Sequence, residues 1–548
     1  MPLNAVIIVP PLRKKVSFYP PFGAMSIIAS ARQDGHTLRL LDLDASRCDD
    51  NTAIDLITGS SPAVIGISAV VSTSYSYVKR ISALIRKKMP GVLIVVGGGL
   101  SAAGEVVLRH TDVDILVHGE GEITFRELLN KIESNGKLDD VAGISFKRDN
   151  VIIKNAPGKI IRNLDDLPFP DYDCLDLSKY ILNINDFIKG YGNPENIDKR
   201  LFSPARSTNF MRVFTGRGCI SRCTFCYRNV PGLRLHSFAY IGNMIEHVVS
   251  KYDLGHISFA DECFGPTKKW LWDFIEMVKK RKFDLTYHIT GMRVDSVDMD
   301  LLKALKEIGV WHIQFGFESG SQKILNVMEK RTTVEQNIKV VRMMKEAGLN
   351  TIPFIIIGYP GETPETISET ISFLKNADLM SRQFRPNFPM AMPGTPLYEY
   401  AVLKGFIKDE DKYLEAISDV EAAELSKDNY FINYTESPTD VVMNWMAVFH
   451  HEIIRHMGTN TFSGIIKKIF GKFRNKGLRE VVFLAIRRIT AKYERHRLQN
   501  VFNQKDNGGV ENVRAASRSG SFPEILPEGE SLRIINKRLK DSRIKAAG

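Results

Sequence analysis

The sequence predicts an α/β protein made of a Rossmann-like doubly wound sheet, then a partial β/α barrel, then a helical C-terminal region. Three observations predict this fold. Short, continuous apolar runs alternate with helical patterns over residues 1–142, as in a buried parallel sheet. A second strand–helix series fills about 206–400, which is typical of a β/α barrel. Helical patterns alone continue over 401–499.

Length and composition fit a soluble globular protein of several domains. The chain has 548 residues, 44% hydrophobic and 25% charged, which is ample material for several cores. No apolar run reaches the roughly 18 residues that span a bilayer. The first ten residues lack a basic region and a cleavage site and instead form an apolar strand pattern, so we expect a cytoplasmic protein. The net charge of +11 leaves nucleic acid, a membrane surface or an anionic substrate as possible partners.

Five strands are predicted in the first sheet, with helices between them, such as 23–33 and 77–88. The strands are 5–9, 37–43, 64–68, 93–96 and 115–117. Small or turn-forming residues follow three of them, namely Ser68, the run Gly97, Gly98 and Gly99, and the pair Gly119 and Glu120. Ligands of such sheets bind at the carboxyl ends of the strands. Each turn alone is also an ordinary strand–helix connection, but three turns at one edge favour a binding site.

Residues 143–205 are predicted to form a hairpin and a proline-rich linker. The barrel series then begins, with helices at 298–308 and 333–347. Its predicted strands are 212–215, 256–260, 286–290, 312–316, 351–358 and one near 384.

Three cysteines lie within eight residues directly after the first barrel strand: Cys219, Cys223 and Cys226. Three thiolates on one loop can each bind one iron of a cubane cluster and leave the fourth iron open. A structural zinc site is the alternative, but such sites use paired cysteines or a histidine partner, and none follows closely. The pattern therefore predicts a [4Fe–4S] cluster held by these three residues.

The spacing Cys-x3-Cys-x2-Cys, with Phe225 before the last cysteine, resembles the signature of radical S-adenosylmethionine (SAM) enzymes. The resemblance implies that SAM binds at the open iron and that one electron cleaves it to methionine and a 5′-deoxyadenosyl radical. The cofactors supply this chemistry and the protein orients them. A reductant such as flavodoxin or ferredoxin is then an expected partner.

Later segments fit the same resemblance. Glu262 and Arg293 follow the second and third barrel strands, Glu318 and Ser319 follow the fourth, and Gly358 ends the fifth. The resemblance implies that Arg293, Glu318 and Ser319 hold the ribose or carboxylate of SAM and that Gly358 faces the adenine. Phe225 and Glu262 complete the set of residues expected to bind cofactor.

The N-terminal half resembles the cobalamin-binding domain that precedes many radical SAM enzymes. The likeness lies in the loop 20–23, the turn 97–99 and the turn 119–122. It implies that Ser68, Gly97, Gly98, Gly99, Gly119 and Glu120 contact cobalamin. The chain lacks the Asp-x-His-x-x-Gly motif, and its first histidine is His36. No histidine of the loop after the first strand can therefore bind cobalt from below.

Three functions are compatible with these resemblances. The first is a cobalamin-dependent radical methyltransferase acting on an unactivated carbon of a small-molecule or lipid-like substrate. The second is a radical oxidoreductase or cyclase on the same scaffold without methyl transfer. The third is a binding protein that uses the cluster or cobalamin as a sensor. Nucleic acid is not expected, because no RNA-binding module is appended.

The C-terminal region contains a basic segment, 465–497, with eleven Lys or Arg from 467 to 497 against Glu480 and Glu494. Apolar residues recur there at near-helical spacing. Such a helix can lie on an anionic membrane surface, or it can pack on the barrel with a solvated basic face. Residues 500–548 are polar and are expected to be disordered.

Overall fold

The computed structural model describes residues 2–12, 16–17, 19–190, 198–229, 232–380, 384–418, 431–456 and 530–547. Two mixed sheets and one separate hairpin organise this part of the chain. None of the helices described there is long and apolar enough to cross a membrane. The basic segment 465–497 lies outside the described residues.

The first sheet has seven strands in the order β2-β1-β3-β4-β5-β6-β7. They are β1 (Asn4–Val9), β2 (Thr37–Asp42), β3 (Val64–Ser68), β4 (Leu93–Gly97), β5 (Ile115–Val117), β6 (Ile144–Arg148) and β7 (Val151–Lys154). The first five are parallel, and β6 and β7 extend the sheet as an antiparallel hairpin. This order places a topological switch point between β1 and β3, where open α/β sheets bind ligands.

Helices cover both faces of the first sheet. They are α1 (Phe22–Arg32), α2 (Leu43–Ser46), α3 (Asp50–Thr58), α4 (Tyr75–Lys88), α5 (Gly104–His110) and α6 (Gly121–Glu133). Successive side chains of a strand point to opposite faces. Ala5, Ile7 and Val9 therefore pack in one core with α1 and α6, whereas Val6 and Ile8 pack in a second core with α3, α4 and α5. The doubly wound sheet predicted from the sequence is confirmed.

The second sheet is an open half-barrel. Its strands are β8 (Leu182–Asn183), β9 (Asn209–Val213), β12 (Leu254–Phe259), β13 (Thr286–Met292), β14 (Val310–Glu318) and β15 (Phe354–Ile355), and a separate hairpin contains β10 (Gly216–Cys219) and β11 (Gly232–Leu235). The order is β15-β14-β13-β12-β9-β8, and all neighbours are parallel except the edge pair β8 and β9.

Helices follow the barrel strands and continue toward the C-terminus. They are α7 (Ile184–Phe187), α8 (Phe238–Tyr252), α9 (Lys268–Arg281), α10 (Met299–Glu307), α11 (Gln322–Val327), α12 (Val334–Glu346), α13 (Pro364–Asn376), α14 (Pro396–Leu403), α15 (Glu410–Ser418), α16 (Thr439–His456) and α17 (Leu532–Ala547). Side-chain caps start many of them. The capping box of Thr333 and Gln336, for example, begins α12 and satisfies backbone N–H groups that lack a helical acceptor.

Two of the predicted barrel strands differ in the structure. The fifth, predicted over 351–358, is reduced to β15, and the region near 384 contributes only an isolated bridge between Ile356 and Asn387. Pro353, Pro386 and Pro389 lie in these stretches. Proline cannot donate a ladder hydrogen bond and so shortens a strand.

The expectation of disorder after residue 500 is wrong for α17. Leu532 and Ile535 are buried and pack in the same core as Leu397 and Ala401 of α14. Local composition predicted a polar tail, but a helix with few apolar residues becomes stable when a tertiary surface buries them.

The helices after the barrel also contact the first sheet's helices. Lys79 on α4 pairs through Nζ with Asp411 and Glu415 on α15, each at 2.9 Å, and the Tyr75 hydroxyl donates to Asp411. The contacts between α4 and α15 therefore join the half of the chain that contains the first sheet to the half that contains the barrel.

Candidate cofactor site between the two sheets

A cavity of about 410 Å³ lies between the carboxyl edge of the first sheet and the half-barrel. Ser68, Gly97 and Gly119 line it from the first sheet, and Phe214 and Tyr227 line it from the second. Gly98, Gly99 and Glu120 also border it. The three turns predicted to share one edge therefore meet at one cavity. Its volume falls in the range of small-molecule and cofactor sites.

The glycine turn after β4 is required by packing between two loops. A Cβ on Gly98, which has φ +87°, would lie 2.6 Å from the Ala69 carbonyl oxygen, and one on Gly99 would lie 2.3 Å from the Val70 carbonyl oxygen. A Cβ on Gly97 would meet Val117 at an ordinary 3.7 Å. The two later glycines thus let the loops after β3 and β4 pack closely, and their backbone forms part of the cavity wall.

A buried charge network joins the two halves at the cavity rim. Arg217 donates from Nη1 to Glu120 Oε1 at 3.1 Å and from Nη2 to Glu122 Oε1 at 2.7 Å. Arg234 also donates to Glu120, through Oε2, and to the Ile161 carbonyl. The carboxylates are almost fully buried, with 2% and 4% of their side chains exposed. Buried charges need such partners, because removing one leaves another uncompensated.

Glu120 was predicted to contact cobalamin, and its carboxylate is engaged within the protein. Besides the two arginines, Oε2 accepts the backbone N–H of Ile161 at 3.0 Å. Glu120 borders the cavity, but its carboxylate oxygens hold the β10–β11 hairpin against the first sheet through Arg217 and Arg234. Any cobalamin contact by this residue stays a prediction.

The three cysteines lie at the tip of the β10–β11 hairpin. Cys219 ends β10, and the loop returns through Cys223 and Cys226 to β11. Cys223 is buried and Cys226 is exposed. The sequence predicted a loop directly after the first barrel strand but not the hairpin that carries it.

The thiols influence one another electrostatically. A hydrogen bond from the Cys263 thiol, with one from the Ser221 N–H at 3.3 Å, lowers the pKa of Cys219. Protein around the loop desolvates the Cys226 thiol although its side chain is exposed, and this, with the charge of Cys223, raises its pKa to about 12. Among the described residues, no three His, Cys, Asp or Glu side chains converge on a single-ion site.

Asp261, which the sequence analysis did not single out, fixes the start of the hairpin. Its Oδ1 accepts the N–H of Thr215 at 2.8 Å, the hydroxyl of Thr215 at 3.0 Å and the N–H of Gly216 at 2.9 Å. Burial raises the pKa of Asp261 to about 7. One carboxylate oxygen at the end of β12 thus anchors the chain just before the cysteines.

Thr224, between two cysteines, anchors the middle of the loop. Its N–H donates to the Met328 carbonyl at 2.9 Å, and its hydroxyl lies 2.8 Å from the Tyr359 hydroxyl. Its own carbonyl accepts the N–H of Leu397 at 3.0 Å. Phe225 packs edge-on against Tyr359, with ring centroids 6.3 Å apart. The backbone and side chain of Thr224 are therefore both held in place, and the ring of Phe225 is packed beside them.

Glu318 forms a buried ion pair beside the cysteine loop. Its Oε1 accepts from Lys330 Nζ at 2.9 Å, and the two side chains are 10% and 17% exposed. Burial acts to lower the pKa of Lys330, but the charges of Glu318 and Cys223 outweigh it and raise the pKa above its ordinary value. Glu318 itself has φ +62°, a left-handed conformation that is uncommon outside glycine and clusters at functional sites. Lys330 was missed by the sequence analysis.

Arg293 contacts the cysteine loop, whereas Ser319 is enclosed. Arg293 donates to both carboxylate oxygens of Asp295, at 2.9 and 2.7 Å, and to the Ser221 hydroxyl. Ser319 is fully buried, and its hydroxyl lies 3.2 Å from that of Thr370. The role of either residue in binding SAM stays a prediction, and the hydroxyl of Ser319 is hydrogen-bonded within the protein.

Gly358 adopts φ +83° at the end of the fifth strand region. Its N–H donates to Glu362 Oε2, which also accepts the Tyr359 N–H at 3.1 Å. Burial raises the pKa of Glu362 to about 8. The turn predicted to face adenine is thus shaped by a buried carboxyl group four residues later.

Two further polar residues of the barrel half face the cavity. Glu262 lines it, and desolvation, with the charge of Cys219, raises its pKa. His236 also lines it and is held by Asp165, with Nδ1 2.8 Å from Oδ1. The loop after β1 contains no histidine. No local signal indicated that one from the second half of the chain would reach the same cavity.

The residues present fit the two cofactors that the sequence implied. Three thiols on one fixed loop match the soft ligand set of an iron–sulfur cluster. The cavity wall is mostly apolar with a few polar groups, and the backbone of a glycine turn forms part of it, as expected for a large cofactor. The cysteine loop borders this wall, and Asn229 at its end donates to the Gly119 carbonyl at 2.6 Å.

Comparison with protein families gives two matches. Residues 213–374 match the radical SAM superfamily, and residues 12–129 match the B12 binding domain. The matched regions contain the half-barrel with its cysteines and the doubly wound sheet with its glycine turns. They fall inside the predicted units 1–142 and 206–400, whose boundaries stay predictions.

Individual proteins show the same similarity. The chain is 29% identical to an uncharacterised methyltransferase of Pyrococcus horikoshii over 71% of its length and 80% of that protein. It is 25% identical to the anaerobic magnesium-protoporphyrin IX monomethyl ester cyclase of Rubrivivax gelatinosus, over 65% of this chain and 62% of the cyclase. The solved radical SAM methyltransferase TsrM from Kitasatospora setae has the same fold, with a TM-score of 0.58 at 16% identity, covering 74% of this chain and 76% of that one.

Fold, cysteine loop and family matches together define a radical SAM enzyme. More narrowly, the chain belongs to the radical SAM proteins in which a B12-binding domain precedes the radical domain. Its cofactors are a [4Fe–4S] cluster, SAM and cobalamin.

Proposed function

We propose that this protein is a cobalamin-dependent radical methyltransferase acting on an unactivated carbon of a small-molecule substrate. The observation that carries the proposal is the shared cavity. The glycine turns of the B12-binding half and the start of the cysteine hairpin line the same space. Cobalamin and cluster would therefore act on one substrate rather than at separate sites.

When bound, the cofactors supply the radical and the methyl group, and the chain positions them. Cys219, Cys223 and Cys226 would hold the cluster. Arg293, Glu318 and Ser319 would hold SAM as predicted, with Gly358 against the adenine, and the buried Lys330 adds a positive charge near Cys223.

The cavity wall would hold cobalamin through Ser68, Gly97, Gly98, Gly99 and Gly119. Apolar side chains surround these residues and would help to keep water away from the reacting groups, which suits radical chemistry because reactive species are protected from side reactions. Glu262 and His236 are two of the polar side chains of the barrel half that could orient a bound group there.

Methyl transfer can be tested with SAM that carries a deuterated methyl group. Anaerobically reconstituted protein with bound cobalamin is reduced in the presence of candidate small molecules, and products are analysed by mass spectrometry. We expect both 5′-deoxyadenosine and a product heavier by one labelled methyl group. Label-free product with 5′-deoxyadenosine would contradict methyl transfer.

A radical cyclase is the second candidate. The similarity to the cyclase of Rubrivivax gelatinosus favours it, because that relative is 25% identical over 65% of this chain. Loss of two hydrogens from the substrate, with no label gained, would identify it. Reduction without any 5′-deoxyadenosine would instead support the sensor hypothesis.

The remaining partners follow from this chemistry. A one-electron reductant of the flavodoxin or ferredoxin type would reduce the cluster, and a cytoplasmic location would suit such a partner. Peripheral membrane contact through 465–497, with a lipid-like substrate, is a separate possibility. Co-sedimentation with vesicles of increasing anionic lipid content tests it, since an electrostatic contact must strengthen with that content.

A further inference from the structure

The C-terminal helix α17 lies against the back of the cysteine loop, although more than 300 residues separate the two in the sequence. Arg533 donates from Nη2 to the Arg222 carbonyl at 3.0 Å. Arg222 directly precedes Cys223. A backbone carbonyl beside the middle cysteine is therefore held by a residue of the chain's last helix.

The same arginine reaches a second segment of the site. Its Nε lies 3.2 Å from Glu329 Oε1. Glu329 has φ +51° and directly precedes Lys330, whose ammonium pairs with Glu318. Arg533 thus connects the turn that carries Lys330 to the loop that carries Cys223.

Helix α17 also supports α14, which holds the Thr224 carbonyl on the other side of Cys223. Asn536 is 2% exposed, and its Nδ2 donates to the Pro396 carbonyl at 2.8 Å and to Glu399 Oε2 at 2.9 Å. Leu397, in the same first turn of α14, donates to the Thr224 carbonyl. The carbonyls on both sides of Cys223 therefore depend on the packing of α17.

Apolar burial attaches the helix. Leu532 and Ile535 are 0% and 3% exposed and belong to the same core as Leu397 and Ile324. The ion pair of Arg533 is partly exposed, with 39% of its side chain accessible, and such pairs alone contribute little stability. Its importance would lie in geometry, since it fixes a backbone carbonyl next to a cluster ligand.

We propose that α17 is a positioning element of the cluster site. Through Arg533 and Asn536 it holds the backbone on both sides of Cys223, so that the three thiolates are preorganised for the cluster. Arg533 and Asn536 are then positioning residues and not catalytic ones, because they act on the cluster only through the loop. The proposal rests on the radical SAM assignment and does not depend on methyl transfer.

Four full-length variants test this role: Arg533→Ala, Arg533→Lys, Asn536→Leu and Leu532→Asp. Lys537→Ala is the matched control, because Lys537 is exposed on the same helix. Each protein is reconstituted anaerobically. Iron per chain, the electron paramagnetic resonance spectrum of the reduced cluster with and without SAM, and the rate of cluster bleaching in air are then measured.

We expect Leu532→Asp and Asn536→Leu to bleach faster by roughly tenfold, the factor that corresponds to losing about 1.4 kcal/mol of docking. Arg533→Ala should show a smaller increase and an altered cluster spectrum, Arg533→Lys should recover part of the difference, and Lys537→Ala should match the unmodified protein. Wild-type bleaching and spectra in Leu532→Asp, while hydrogen exchange shows 532–547 undocked, would overturn the proposal. Failure of methyl transfer in the unmodified protein would leave these readouts unaffected.

Discussion

The two walls of the cofactor cavity are built differently. The wall from the first sheet relies on backbone and apolar contact, with Gly98 and Gly99 packed against the loop after β3. The wall from the half-barrel relies on buried polar contacts, in which Asp261, Thr224 and Arg217 fix the hairpin from several sides. A wall of the first kind tolerates the loss of a polar group but not an added side chain. A wall of the second kind is sensitive to the loss of a single hydrogen-bonding group, since its partners remain buried without one.

The largest expected effect is removal of a cluster ligand. Replacing Cys219, Cys223 or Cys226 by Ala should abolish cluster binding and lower 5′-deoxyadenosine formation below detection, because the cluster loses one of its three protein ligands. Iron content and the visible absorbance of reconstituted protein check this. Cys48→Ala is the control, since Cys48 lies in the first domain, where its thiol accepts a hydrogen bond from the Ser46 hydroxyl. Full iron content in any of the three ligand variants would show that the loop does not hold the cluster.

The next largest effect is a loss of stability when the ion pair between Arg217 and Glu122, which joins the two walls, is broken. Arg217→Gln leaves Glu122, which is 3% exposed, without its cation and should destabilise the protein by about 3 kcal/mol. The double variant Arg217→Gln with Glu122→Gln should recover much of the loss, because no uncompensated charge remains. Thermal unfolding of the three proteins measures this. Equal midpoints for the single variant and the unmodified protein would show that the network is not important for joining the halves.

A glycine substitution in the first wall should weaken cobalamin binding and leave the cluster in the second wall unaffected. Gly98→Ala places a Cβ 2.6 Å from the Ala69 carbonyl at φ +87°, which costs about 1–2 kcal/mol. Cobalamin affinity should fall by roughly tenfold, while cluster iron stays unchanged. Gly91→Ala is the control, because its added Cβ meets nothing within 4 Å. Loss of the cluster together with cobalamin would show that the walls are not independent.

The smallest effect is a change in pH dependence. Burial raises the pKa of Glu362 to about 8, above the ordinary value of about 4.5 expected in the unfolded chain. The folded state therefore holds an extra proton between these values. The stability from neutral Glu362 is fully present below about 4.5 and is lost as the pH rises through about 8.

Glu362→Gln removes this titration, because glutamine is always neutral. The thermal midpoint of the unmodified protein should therefore fall more between pH 5 and pH 8.5 than that of the variant. Glu365→Gln is the control, since Glu365 is exposed on the first turn of α13. Parallel pH profiles for the unmodified protein and Glu362→Gln would indicate that the carboxyl is already ionised at neutral pH.

Much of the site could be predicted because its signals are local. The spacing of Cys219, Cys223 and Cys226 lies within one loop, and the glycine turns directly follow their strands. Thiolate chemistry and the carboxyl-edge rule then predicted both the cluster and the shared cavity. The site's other side chains come from segments that are distant in the sequence, so no local pattern indicated them. Asp261 anchors Thr215 across a strand pair, and His236 reaches the cavity from the other half of the chain.

The sequence by itself determined the class of fold and the edge of the first sheet that lines the cavity, and it predicts the cluster ligands. Hydrophobic periodicity and short motifs carry this information because each depends on only a few neighbouring residues. The tertiary structure alone decided which charges are paired. In the folded protein, Glu120 pairs with Arg217 and Arg234. The helix Leu532–Ala547 packs against α14 and contacts the cysteine loop. Burial and ion pairing depend on which distant segments are brought into contact. A composition that looks polar and disordered along the chain can therefore become part of the frame around Cys223 once the fold supplies an apolar surface.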